Sequence, residues 1–173
     1  MKYLIIYGSS SELTGKTGAM VMRLKSCLNA DLIDVSKSNI SFFDYEHNNQ
    51  GDDFDGFSHQ MIKADCIVFA TPVYWYAMSA QLKMFFDRFS DLIMIKKPLG
   101  RQLKGRTMTF LATGHDDIMP EGFAVPFKRT ADYFQMTYVD GLYICTNSKT
   151  LNPDEVEGKV VEFADTLRES SDS

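Results

Sequence analysis

Short apolar runs alternate along the chain with segments in which apolar residues return every three or four positions. The runs are Tyr3–Tyr7, Asp31–Val35, Cys66–Ala70, Arg106–Ala112 and Gly141–Cys145, and the first four end in turn-forming residues. Unbroken apolar runs of this length predict strands buried on both faces. Helical periodicity appears at Met20, Leu24, Cys27 and Leu28; at Leu82, Phe85, Phe86, Phe89 and Ile93; at Phe123, Phe127, Ala131 and Phe134; and at Val156, Val160, Phe163 and Leu167. A weaker helix fits Phe54 to Lys63. Strands alternating with helices mean βαβ units with right-handed crossovers, hence an α/β doubly wound domain of five parallel strands and five helices. Ser36 to Gly56 is polar with interleaved aromatics, which predicts an ordered surface excursion, and the tail after Arg168 is expected to fray.

In such sheets ligands bind beyond the carboxyl ends of the strands. Three loops therefore matter: Gly8–Thr17, Thr71–Met78 and Thr113–Met119. The first reads G-S-S-S-E-L-T-G-K-T and ends like a nucleotide-binding P-loop. That pattern places its first glycine at residue 10, where this chain has Ser10, and Gly8 comes two residues too early, so the NTPase pattern is broken. What remains is a loop of hydroxyls (Ser9, Ser10, Ser11, Thr14, Thr17) before a helix N-terminus, whose unpaired amides and positive dipole end favour a phosphate. The same residues also suit a Ser/Thr-rich turn that caps an ordinary helix. The second loop places Tyr74, Tyr76 and the only Trp, Trp75, at a strand's carboxyl end. Exposed aromatics there await a flat partner, or else pack against another subunit or beneath the Ser36–Gly56 excursion.

Composition narrows the context. A chain of 173 residues is expected to form one domain, residues 1–173, and to bury about 70% of its unfolded surface. Cys27, Cys66 and Cys145 lie singly in apolar segments, as reduced core cysteines do. The apolar stretch after Lys2 is too short for a signal-peptide core, and nowhere do about 18 apolar residues run together, so a soluble cytoplasmic protein without a membrane partner is expected. A net charge of −5 argues against nucleic acid as a partner.

The stretch T-P-V-Y-W-Y-A-M-S-A-Q-L-K-M-F-F-D-R, Thr71 to Arg88, resembles the T-P-x-Y-x-x-x-x-S-A-x-x-K-x-F-x-D-R signature of the flavodoxin-like NAD(P)H-dependent FMN reductase and quinone reductase family. Gly8-Ser9, Thr17 and the Gly114 loop also fall where that family places its flavin contacts, so the resemblance covers nearly the whole chain. It implies a three-layer sandwich with strand order 2-1-3-4-5 and FMN as cofactor. By the resemblance Ser9, Ser10, Ser11, Thr14, Gly15 and Thr17 bind the FMN phosphate, while Lys16 either assists or faces water. Pro72, Val73, Tyr74 and Trp75 border the isoalloxazine, and Thr113, Gly114 and His115 close its other side. Glu12 departs from the pattern, because a carboxylate near a phosphate dianion is unfavourable unless it points outward.

The implied activity is a ping-pong transfer of hydride from NADPH or NADH to FMN and on to a small-molecule acceptor such as a quinone or free flavin. The alternative is a flavodoxin-type electron-transfer protein without its own NAD(P)H oxidation, to which T-G-K-T is similar; a flavin-free nucleotide-binding module is the third reading. The family also implies a homodimer through the helix bearing Lys83 and Asp87. With no cysteine cluster, no iron–sulfur centre is expected. His115-Asp116-Asp117 reads as a metal or acid/base cluster, the latter acting toward an acceptor, or as turn and cap chemistry, and no metal is expected. The basic stretch Lys96, Lys97, Arg101, Lys104 and Arg106 either meets a dinucleotide phosphate or faces solvent, and His47 and His59 read as surface residues.

Overall fold

The computed structural model describes residues 1–147 and 152–170. The chain runs β1 (Tyr3–Tyr7), α1 (Lys16–Leu28), β2 (Asp31–Asp34), α2 (Asp53–Met61), β3 (Cys66–Tyr74), β4 (Ala77–Met78), α3 (Ala80–Asp87), α4 (Phe89–Met94), α5 (Lys97–Gly100), β5 (Thr107–Gly114), α6 (Val125–Phe134), β6 (Thr137–Tyr138), β7 (Leu142–Cys145) and α7 (Pro153–Glu169). Every residue of β1 is buried, as a central strand covered on both faces requires. It pairs in parallel with β2 on one side and β3 on the other, and β5 pairs in parallel with β3.

The expected five-strand order holds by position, but among the described residues the sheet has seven strands. Two local events account for the difference. The third strand does not stop at Ala70: it continues to Tyr74 and doubles back as the antiparallel β4, with Val73 opposite Met78 and Tyr74 opposite Ala77. The fifth position is split, β6 pairing Thr107 and Met108 while β7 pairs Leu111 to Gly114. Gly141 lies in the gap, where a Cβ would stand 2.6 Å from the Phe110 ring, so the chain needs glycine to pass that side chain.

Alternation along the strands sends side chains to two cores. Leu4, Ile6, Phe69 and Phe110 face α2, α3 and α6, joining Phe54, Phe85 and Phe127. Ile5, Val68 and Leu111 face α1 and α7, joining Leu24, Val160 and Leu167. Aromatic pairs dominate the first core, with Phe110 stacked on Phe127 at 4.7 Å and Phe69 edge-on to Phe86 at 4.8 Å. Each such ring contributes roughly 1.5–3 kcal/mol through burial.

The single helix expected through Leu82 to Ile93 is two helices, α3 and α4, meeting at Arg88, and α5 adds a further turn in the basic stretch, so the described residues form seven α-helices instead of five. Arg88 stands at the break, a cation that is fully buried. Its Nε donates to Asp91 at 2.8 Å, its Nη2 to Asp52 at 3.2 Å, and its Nη1 to Asp52 and, at 3.1 Å, to the Ser41 carbonyl. The guanidinium also lies 4.8 Å from the Phe54 ring centre. Asp52 accepts the Phe54 amide as the N-cap of α2 and the Ser41 amide at 2.9 Å, so one carboxylate orders both ends of the excursion. His47 is not a free surface residue as expected: it is partly buried, with Nδ1 3.5 Å from Asp91. His59 is exposed as expected. Of the tail, Glu169 and Ser170 complete and cap α7, and residues 171–173 lie outside the described residues.

Candidate functional site at the carboxyl end of the sheet

The first loop leaves β1 hard against the start of α3. The Gly8 amide donates to the Ala70 carbonyl at 2.9 Å, and a Cβ on Gly8 would meet the Leu82 amide nitrogen at 2.7 Å. Buried Ser79 accepts the Leu82 amide at 3.2 Å as the N-cap of α3 and donates its hydroxyl to the Gly8 carbonyl at 2.7 Å. Beneath the loop, the Tyr7 hydroxyl donates to the Ser11 carbonyl at 3.0 Å, and burial pushes that phenol's pKa up. Ser9 is buried, its Oγ accepting the Ser11 amide at 3.1 Å and lying 3.2 Å from the Ser11 Oγ.

Gly15 is the N-cap of α1, and no side chain caps the helix. The loop hydroxyls are therefore not engaged as a cap, which removes the capping explanation for them. The first turn carries no acid, and the amides of Lys16, Thr17 and Gly18 have no acceptor among the described residues. Exposed Glu12 accepts the Gly15 amide through its carbonyl at 2.9 Å. Lys16 reaches across the end of the sheet, donating to the Thr146 carbonyl at 2.6 Å. Thr14 and Ser10 are exposed, whereas Thr17 is buried, its hydroxyl 2.6 Å from that of Thr113 at the end of β5.

The second segment is a tight hairpin instead of an open loop. Trp75 and Tyr76 form its two-residue tip with φ of 48° and 65°. Turns of this type need positive φ at both central positions and usually use Asn or Gly, so two aromatic residues there are strained. Trp75 is 93% exposed, so it does not pack beneath the Ser36–Gly56 excursion. Pro72 is buried opposite Thr113 in the β3–β5 ladder, Val73 is half-buried, and the Tyr74 hydroxyl lies 2.9 Å from Ser10 Oγ.

The third segment begins at His115, two residues later than expected, because Thr113 and Gly114 are still in β5. A Cβ on Gly114 would stand 2.3 Å from the Tyr143 hydroxyl, which donates to the Asp116 carbonyl at 2.7 Å. The Gly114 carbonyl accepts the Thr146 amide at 2.7 Å. His115, Asp116 and Asp117 are all exposed.

The three segments are thus joined by side chains distant in sequence: Ser10 to Tyr74, Thr17 to Thr113, and Ser79 to Gly8. Together they present unpaired amides and hydroxyls on one side and an exposed aromatic tip on the other. Ser9, Ser10, Ser11, Thr17, Tyr74 and Thr113 converge; Lys16 turns aside to Thr146. Sequence reasoning missed Tyr7, Ser79 and Tyr143. Ser79 was recoverable, since a serine before an apolar helical run marks an N-cap. Tyr7 and Tyr143 sit in apolar strands, and nothing in the sequence separates their hydroxyls from ordinary core.

Comparison with known proteins gives a consistent picture. The family model for NADPH-dependent FMN reductases matches residues 1–150. A relative in Bacillus subtilis (strain 168), provisionally named as the NAD(P)H-dependent FMN-containing oxidoreductase YwqN, is 29% identical over 99 residues. That match spans 54% of this chain and 54% of the relative, about half the length of each. Among solved structures, the Trp repressor binding protein from Bacillus subtilis superposes with a TM-score of 0.73 at 20% identity, covering 93% of this chain and 96% of that one. An FMN-dependent NADH-azoreductase from Bacillus anthracis, in complex with FMN, gives a TM-score of 0.70 at 16% identity over 96% and 99%. An NADPH-quinone reductase from P. pentosaceus gives 0.69 at 17% identity over 96% and 97%. At these identities the superpositions speak to the flavodoxin-like fold.

Proposed function

Because the chain belongs to the NADPH-dependent FMN reductase family, we propose that it is an FMN-dependent oxidoreductase. NADPH or NADH is the donor, and a quinone, free flavin or similar small electrophile is the acceptor. The observation that carries this reading is the bare N-terminus of α1, with three amides lacking acceptors, set among Ser9, Ser11 and Thr17 and facing a hairpin tipped by Trp75. A phosphate satisfies the first feature and a planar ring the second.

Ser9, Ser10, Ser11, Thr14 and Thr17, with the amides from Gly15 onward, hold the phosphate. Lys16 contributes its backbone amide, since its ammonium group is engaged by Thr146. Pro72, Val73, Tyr74 and Trp75 border the ring system, and Thr113, Gly114 and His115 line its opposite side. When bound, FMN supplies the hydride-accepting ring, and the protein's share is to bind it, fix its plane and leave one face open. Exposed His115 sits where it can donate a proton to a quinone-type acceptor as that acceptor is reduced. Working as a cytoplasmic homodimer follows the same reading: the end of α4 exposes Met94 and Ile95, an apolar face suited to a second copy.

The kinetic test is initial rates of the FMN-loaded protein with NADPH varied against benzoquinone. The reading predicts parallel double-reciprocal lines, because one site serves donor and acceptor in turn. Intersecting lines would require both substrates bound together and would contradict it.

A further inference from the structure

The basic stretch before β5 has no part in the site above. Lys96 pairs with Asp55 and Arg106 with Asp65, but Lys97, Arg101 and Lys104 have no carboxylate within ion-pair distance among the described residues. These three side chains border a cavity of about 380 Å³. Its walls are Ile93 of α4 and Tyr133 and Phe134 at the end of α6. The floor depends on Gly100, where a Cβ would stand 2.3 Å from the Leu92 carbonyl oxygen; glycine alone lets α5 close on α4. No aspartate or glutamate lines the cavity.

We propose that this cavity is a second binding site, for a small organic acid that carries a carboxylate, sulfonate or phosphate on an apolar body of one or two rings. The volume lies within the range of small-molecule pockets. The walls are apolar and aromatic, and the rim carries three uncompensated positive charges in a chain of net charge −5. The negative end of α6 amounts to about half a charge, so helix-dipole compensation leaves most of that rim charge unanswered. Arg101 offers a planar fork for two oxygens of the anion, and the lysines add point charges.

The site is separate from the flavin site. Lys104 precedes β5 and Gly114 ends it, and the eight residues of the strand span about 26 Å at the strand rise. Nor can the basic rim hold the phosphate of a dinucleotide that reaches the same chain's flavin site, because the two lie at opposite ends of the sheet.

Isothermal titration of the FMN-loaded full chain with 1-naphthalenesulfonate tests the proposal, with neutral 1-naphthalenemethanol as control and Lys97→Gln/Arg101→Gln/Lys104→Gln as the variant. All three positions are exposed, so the variant is expected to fold and to bind FMN as the parent does. The sulfonate should bind one per chain without displacing FMN, at least tenfold tighter than the neutral alcohol, and at least tenfold more weakly to the variant. Absence of saturable binding, equal affinity for the alcohol, or an unchanged variant overturns the proposal. Displacement of FMN would assign the anion to the phosphate loop, and a changed sedimenting mass of the variant would assign the cations to contact between copies; either result also overturns it.

Discussion

Thr17 and Ser9 hold the loop assigned above to a phosphate in the proposed function, each in a different way. The Ser9 hydroxyl stabilises the loop from inside, through the Ser11 amide, whereas Thr17 ties the start of α1 to Thr113. Thr17 carries one of the amides without an acceptor while Ser9 shapes the loop beneath, and a hydrogen bond to a charged phosphate is worth about 1.5–3 kcal/mol. Ser9→Ala and Thr17→Ala should each weaken FMN tenfold or more and leave riboflavin nearly unchanged, as measured by fluorescence quenching with both ligands; equal losses would remove the phosphate role. The sequence showed the hydroxyls but not their division of labour, because spacing cannot tell that Ser9 turns inward while Ser10 reaches Tyr74. At the hairpin tip, Tyr76→Gly should raise stability by up to about 1 kcal/mol by relieving a positive φ. The same change should alter KM for the acceptor more than kcat for the donor half-reaction. A Tyr76→Gly protein that is less stable, with an unchanged acceptor KM, would show that the strained tip serves packing alone.

Among the elements, α3 is the one on which the site leans, because its N-cap Ser79 also donates to Gly8. Ser79→Ala removes a cap and leaves a buried carbonyl unpaired, a loss of about 3 kcal/mol in urea unfolding, with weaker FMN binding as a consequence. The break between α3 and α4 was hidden from periodicity: Phe85, Phe86, Phe89 and Ile93 keep a helical spacing through Arg88, and only the buried ion pairs reveal that the helix is interrupted. Burial alone would push the Asp52 carboxyl up, but hydrogen bonds from Arg88 and the Ser41 amide, with the Arg88 charge, hold it below the ordinary carboxylate value. A carboxylate depressed in the folded state stabilises above its unfolded pKa of about 4, and that contribution is lost as pH falls through the folded value. Asp52→Asn, which leaves Asp91 as the one carboxylate paired with Arg88, should therefore cost about 3 kcal/mol at pH 7. The gap to the parent should close progressively below about pH 4; a gap independent of pH would mean that Asp52 acts as a helix cap only.

For the whole molecule, alternation of buried strands with helical periods was enough to give the layers, whereas the order of positions in the sheet came from the family resemblance of Thr71 to Arg88. Chain-distant contacts were not legible, and they decide the remainder: β4 exists because Val73 and Tyr74 find Met78 and Ala77, and the fifth position splits because Gly141 must pass Phe110. The same limit applied to His47, whose partner Asp91 lies 44 residues away in α4. Assembly belongs to this scale too. Met94→Lys with Ile95→Lys places two charges on the exposed apolar face and should convert the proposed homodimer to a monomer in sedimentation analysis, whereas an unaltered mass would put the contact elsewhere. The central claim is that this chain oxidises a pyridine nucleotide through FMN, and its most direct test is the anaerobic absorbance spectrum of FMN-loaded protein before and after NADPH, then NADH. Prompt bleaching of the flavin bands is the predicted result. Bound flavin that stays oxidised with both nucleotides would contradict the account and favour an electron carrier reduced by a protein partner.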